Sequence, residues 1–135
     1  MKKNSNPILR GNVLAQKCPS RPIMQHLTNR WGTLVMIVLR DGTKRFSELR
    51  KAIEGISERM LAQTLQQLEQ DGMVHRQDFQ TVPPHVEYSL TPYGAQAADK
   101  LADLVDWLEG NLPDILAASA PNRTTQVHLA NRKVV

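Results

Sequence analysis

Apolar residues recur three and four positions apart in two stretches near the middle of the chain: Leu49, Ala52 and Ile53, then Met60, Leu61, Leu65 and Leu68. That spacing places side chains on one face of an α-helix. Ser47 precedes the first stretch and Ser57 the second, each where a hydroxyl can accept from a free backbone N–H and cap a helix. Glu54-Gly55-Ile56 separates the two stretches and Asp71-Gly72 ends the second. The pattern predicts helix, short glycine-containing turn, helix, the arrangement of a helix-turn-helix. Upstream, Ser20-Arg21-Pro22 reads as another helix start, with Ser20 as cap and Pro22 in the first turn, and Ile23, Met24 and Leu27 supply its apolar side. Between them the unbroken run Leu34–Leu39, inside Trp31–Arg40, fits a buried strand or a buried helix by period alone, and a helix is the preferred assignment.

Beyond Gly72 the period shortens. Met73–Phe79 and Val86–Leu90 alternate as strands do, most visibly Val86, Tyr88 and Leu90 against Glu87 and Ser89. Gln80–His85, with Pro83 and Pro84, is a stiffened turn, so the two strands form a hairpin, or wing, directly after the helix pair. Thr91-Pro92 opens a last long helix whose Leu101, Leu104, Val105, Leu108, Leu112 and Ile115/Leu116 make one continuous apolar stripe. Residues 1–19 read as a loose arm with a short helix at Ile8–Ala15, and residues 119–135, which lack any period, as a mobile tail. The expected fold is therefore mainly α with a small β-hairpin: a winged helix-turn-helix over residues 20–91, then a dimerisation helix over 92–118.

At 135 residues the chain is one domain by length. No apolar run nears the roughly 18 residues of a membrane span, and Arg10 and Asn12 interrupt what would be a leader's apolar stretch, so a cytoplasmic, membrane-free protein is expected. A single cysteine excludes an internal disulfide framework and suits a reducing compartment. Charge is unevenly spread. Residues 1–60 hold twelve basic and four acidic groups, whereas residues 61–135 hold five basic and nine acidic. A basic half favours a polyanion, because each Lys or Arg set on a phosphate releases condensed counterions; a merely solvated basic surface is the plainer alternative. Aromatic residues are 4% of the chain, too few for a stacking platform, so duplex is favoured over single strands. His26, His75, His85 and His128 match no metal-ligand spacing, and no phosphate loop, nucleophile elbow or carboxylate pair is evident, so neither a cofactor nor an enzyme is expected.

With the leucines of the second helix turned inward, Ser57, Arg59, Gln63, Gln66 and Gln67 remain on its outer face. Arginine can bond guanine bidentately and glutamine adenine, and the major groove admits a helix. Any amphipathic helix has a polar outer face; this one carries glutamines and an arginine where an ordinary solvated face would carry Glu–Lys pairs. Arg45 and Ser47, at the front of the preceding helix, suit a phosphate. Arg76, Gln77, Thr81 and His85 of the wing suit the minor groove or backbone, although a Pro-Pro hairpin is also a common tight connection. The last helix carries Asp99, Asp103, Asp106, Glu109 and Asp114 against Lys100 alone, which DNA would repel. Its stripe from Leu101 through Leu104, Val105 and Leu108 to Leu112 exceeds what so small a domain needs, and a second copy is the expected partner. Cys18 lies between Lys17 and Arg21 and just before a helix start, both of which favour the thiolate. A lone cysteine is more often a small buried residue.

Several of these residues carry a family resemblance. Cys18-Pro19, Trp31, Arg45-Phe46-Ser47-Glu48-Leu49, Ile56-Ser57-Glu58-Arg59-Met60-Leu61, Leu65, Leu68-Glu69, Asp71-Gly72 and the string Val82-Pro83-Pro84-His85-Val86-Glu87-Tyr88-Ser89-Leu90-Thr91-Pro92-Tyr93-Gly94 resemble the HxlR-type winged helix-turn-helix regulators of bacteria over about residues 18–112. The resemblance implies a dimeric DNA-binding transcription factor on an inverted repeat, implies helix for Trp31–Arg40, and implies that Cys18 can sense an oxidant or a small electrophile such as a quinone or aldehyde. The chain departs from the family pattern in having Asn29-Arg30 where Gly-Lys usually precedes the tryptophan, and His85 where the wing usually has arginine. The second departure implies wing contact that weakens as pH rises. Two other classes remain: a winged module whose polar helix faces a protein partner, and a small thiol enzyme using Cys18.

Overall fold

The structure, a computed structural model, describes residues 10–119. Its elements are α1 (Ser20–Thr28), α2 (Arg30–Arg40), β1 (Lys44–Arg45), α3 (Phe46–Ala52), α4 (Glu58–Gln70), β2 (Val74–Asp78), β3 (Val86–Leu90), α5 (Pro92–Gly110) and α6 (Leu112–Ala117). Trp31–Arg40 is helix, opened by Asn29, whose side chain accepts from the Gly32 N–H at 2.7 Å.

Two helix starts differ from the sequence expectation. Pro19 is the N-cap of α1 and Ser20 its first helical residue, so the Ser20 hydroxyl is directed to Cys18 instead. α3 begins at Phe46, one residue before Ser47, and Glu48 reaches back to accept from the Arg45 N–H at 2.7 Å. Ser57 caps α4 as expected, accepting from the Met60 N–H at 3.0 Å. The turn between α3 and α4 passes through Gly55 at φ +88°, and α4 is followed by Gly72 at φ +77°, left-handed positions that glycine adopts without a Cβ penalty.

The sheet has three antiparallel strands in the order β1-β3-β2, not the two of the expected hairpin. Lys44 and Arg45 pair with Tyr88 and Glu87. This flanks Tyr88 and Glu87 on both sides; Glu87 and Ser89 are both half-buried despite their polar side of the alternation. The first compact unit ends at Leu101, past the expected boundary at residue 91. Its core joins Val35, Met36 and Leu39 of α2 to Leu49 of α3, Leu61, Leu65 and Leu68 of α4, Val74 and Tyr88 of the sheet, and Ala98 and Leu101 of α5.

A second unit begins at Ala102. The single long helix expected over 92–118 is broken here: α5 stops at Gly110 and α6 restarts at Leu112. Pro113 lies in the first turn of α6, where its missing N–H removes no helical bond; within a continuous helix it would delete one and crowd the turn before it. The apolar stripe is accordingly two segments. Residues 10–19 form turns, so the described part of the expected helix at Ile8–Ala15 is not helical. Ile8, Leu9, His128 and the tail from residue 120 onward lie outside the described residues. No described helix is long and apolar enough to cross a membrane.

Candidate nucleic-acid interface

The outer face of α4 is built by subtraction. Leu61, Thr64, Leu65 and Leu68 are buried against the core, and Ser57, Arg59, Ala62, Gln63, Gln66 and Gln70 are exposed opposite them. Arg59, Gln63, Gln66 and Gln70 fall within about 40° of one line along the helix at 100° per residue. Gln67 is half-buried on one flank, beside Asn29, Arg30 and Trp31. Gln70 and Ala62 are outer-face positions that the sequence reading omitted, although continuing the three-four spacing from Arg59 and Gln63 identifies them. Ser57 is exposed, but its hydroxyl is engaged in the cap. Glu58 in the first turn bonds Arg50 at 2.9 Å, tying α3 to the start of α4.

Arg45 and Ser47 are both exposed at the front of α3. The Arg45 guanidinium donates to the Pro84 carbonyl at 3.4 Å, so it spans from β1 to the wing turn. Arg76 is not at the end of the wing. It pairs across the ladder with Tyr88 and lines a shallow hollow with Ala62, Gln66 and Glu69 of α4. A hydrogen bond with the Tyr88 side chain holds its pKa above the ordinary arginine value, with Asp78 and Glu69 adding to the effect.

His85 is also held inside the wing. Its Nε2 lies 2.7 Å from Glu87 Oε2, and its ring centroid lies 4.6 Å from that of Phe79. The expected approach of His85 to the minor groove or backbone would thus involve a ring already placed against a carboxylate and a phenyl ring. Thr81 is exposed and Val82 almost fully so in the turn, where the Thr81 hydroxyl donates to the Pro83 carbonyl, and Gln77 is exposed on β2.

At the junction of α1 and α2 the Arg30 guanidinium stacks 4.4 Å from the centroid of the Trp31 ring. His26 Nδ1 lies 2.6 Å from Asp71 Oδ2, joining α1 to the end of α4.

Cys18 is half-buried. Its sulfur accepts from the Ser20 hydroxyl at 3.1 Å and from the Asn12 N–H at 3.2 Å. These bonds, the Ser20 hydroxyl foremost, lower the thiol pKa below its ordinary value. The expected cause was the neighbouring cations, but the Arg21 guanidinium is directed to the carbonyls of Val13 and Leu14.

Of the expected dimerisation residues, Leu101 is committed to the core of the first unit. In the second unit Leu104, Leu108 and Leu112 are exposed and Val105 is half-buried.

Residues 26–115 match the family described as HxlR-like helix-turn-helix. The chain is 56% identical over 113 residues to an uncharacterised HTH-type transcriptional regulator, YtfH, of Escherichia coli K12, covering 84% of this chain and 90% of that one. A solved structure titled as a putative transcriptional regulator, YtfH, from Salmonella typhimurium is 58% identical with TM-score 0.76, covering 80% of this chain and 96% of that one. The redox regulator HypR in its reduced form is 36% identical with TM-score 0.67, covering 75% and 99%.

Proposed function

The chain belongs to the HxlR-like helix-turn-helix family of transcriptional regulators, and on that premise we propose that it acts in the cytoplasm as a homodimer reading an inverted repeat in duplex DNA. α4 enters the major groove and presents Arg59, Gln63 and Gln66 to base edges. Arg45 and Ser47 hold the backbone beside α3, and the exposed wing turn approaches the next groove. The observation that carries this reading is the ridge of α4: an arginine and three glutamines exposed in line, behind which every leucine of the helix is buried.

Cys18 is the switch in this reading. Two donors on its sulfur favour the thiolate, the form that an oxidant or electrophile attacks. As the chain's single cysteine, it would form a disulfide with a second subunit or with a small thiol, or take an electrophile as an adduct. A relative titled a redox regulator supports a response of this kind.

Selection of sites from random duplex, with and without diamide, is the primary test. On the selected site Arg59→Ala is expected to cost about 1–3 kcal/mol and to relax preference at one base position. Equal binding by mutant and wild type would remove α4 from base reading. Affinity that does not fall with rising salt would favour the protein-interaction module, since phosphate contacts impose that dependence.

A further inference from the structure

The ridge of α4 has two flanks, and each carries one arginine, of which Arg30 is stacked on an aromatic ring. On one flank Arg76, across the ladder from Tyr88 and 4.0 Å from the Asp78 carboxylate, borders Gln66. On the other, Arg30 stacks on the Trp31 indole and borders Gln63 and Gln67 in a shared shallow groove. The two flanks are opposite by helical geometry, since Gln67 and Met60 turn about 70–90° one way from the ridge and Ala62 and Glu69 about as far the other way.

Arg30 is exposed, and among the described residues no carboxylate pairs with it. Trp31 itself packs on the core, so the indole is a rigid shelf for the guanidinium. An arginine held in this way has surrendered side-chain freedom before any ligand arrives, while its outward N–H groups remain available as donors. A helix seated in a major groove about 12 Å wide has a sugar-phosphate strand along each side.

We propose that Arg30, braced by Trp31, is a phosphate clamp on the α2 side of the recognition helix, opposite Arg76, and that the pair sets the depth and register of α4 in the groove. This rests on the duplex-binding reading above and adds to it a contact from an element outside the helix-turn-helix and the wing. A phosphate contact carries no sequence information, so its loss has a recognisable form.

The test compares wild type, Arg30→Ala and Arg30→Lys on the selected duplex and on an unrelated duplex, each across a range of salt concentrations. Arg30→Ala is expected to weaken both duplexes by a similar factor, about tenfold, and to make the log–log salt slope shallower by about 1. Arg30→Lys keeps the charge but loses the planar stack, and is expected to restore the slope and only part of the affinity. Thermal unfolding of each variant reports whether the fold is retained; Arg30 is exposed, so unchanged melting is expected. If wild type binds the duplexes and Arg30→Ala binds them equally well, with an unchanged slope, the clamp is wrong while the function stands. Loss confined to the selected duplex also overturns it, because that is the signature of base reading. A wild-type chain that binds no duplex overturns both.

Discussion

At Cys18, two hydrogen bonds accomplish what the local sequence assigned to two cations. The Asn12 N–H and the Ser20 hydroxyl donate to the sulfur and lower its pKa, while Arg21 is occupied with backbone carbonyls. The Ser20 contribution is the largest, so Ser20→Ala is expected to move the thiol back up. Because the thiolate is the reacting form, alkylation by iodoacetamide in the wild type should rise through a midpoint below that of an ordinary thiol, and in Ser20→Ala through a higher one. Identical profiles would show that the hydroxyl does not tune the sulfur. In the same chain Cys18→Ser is expected to bind DNA as wild type does and to ignore diamide; a variant that still responds would make Cys18 structural. What sequence conveyed here was the residue and the direction of its pKa shift, not the cause. Ser20 reads equally well as a cap or as a sulfur ligand, and what decides between them is that Ser20 is the first helical residue of α1 with its hydroxyl on the Cys18 sulfur.

Among the elements, helices whose apolar residues recur three and four apart were the most legible, whereas the unbroken apolar run of α2 fits strand or helix by period alone. α4 is the clearest case, with both its capping serine and its terminating Asp71-Gly72 where the pattern put them. β1 was not legible. Two charged residues have no alternation, and Lys44-Arg45 is a strand only because β3 offers it an edge. α5 shows the same division between local and tertiary causes. Its start was readable: Thr91 accepts from the Gly94 N–H at 2.9 Å and donates to the Gly72 carbonyl. The close approach beneath that start was not. A Cβ on Gly94 would fall 1.9 Å from the Met73 carbonyl oxygen, a backbone atom that cannot swing aside. Gly94→Ala is therefore expected to destabilise by about 1–3 kcal/mol or more, through overpacking. A Cβ on Gly110, at the far end of the same helix, would meet nothing within 4 Å. Gly110→Ala should leave stability unchanged or raise it by up to about 1 kcal/mol, since alanine is the better helix former. Thermal unfolding of the two variants checks the pair, and a Gly94→Ala protein that melts with the wild type would refute the steric account.

For the whole molecule, the question is what covers the second unit. Leu104, Trp107, Leu108 and Leu112 are 57%, 59%, 43% and 42% exposed, an apolar set that a lone chain would leave in water. The sequence stripe pointed to these leucines but drew them as one helix with Leu101. Burial separates them, because Leu101 serves the first unit's own core and so cannot report on association without also disturbing the fold. The informative substitutions are therefore Leu104→Gln with Leu108→Gln, which leave that core intact. A two-fold dimer sets its recognition helices about 34 Å apart, one turn of the duplex, and engages both halves of a palindrome at once. Coupling two half-sites raises affinity by about a hundredfold or more over one. The double variant is expected to sediment as a monomer, to melt with the first unit's stability unchanged, and to bind a full palindrome no more tightly than a single half-site. Wild type should bind the palindrome at least about a hundredfold more tightly than the half-site. If the variant still sediments at twice the chain mass, these leucines are not the dimer contact. If wild type itself shows no gain from the second half-site, the protein reads its operator as a monomer and the inverted repeat has no basis.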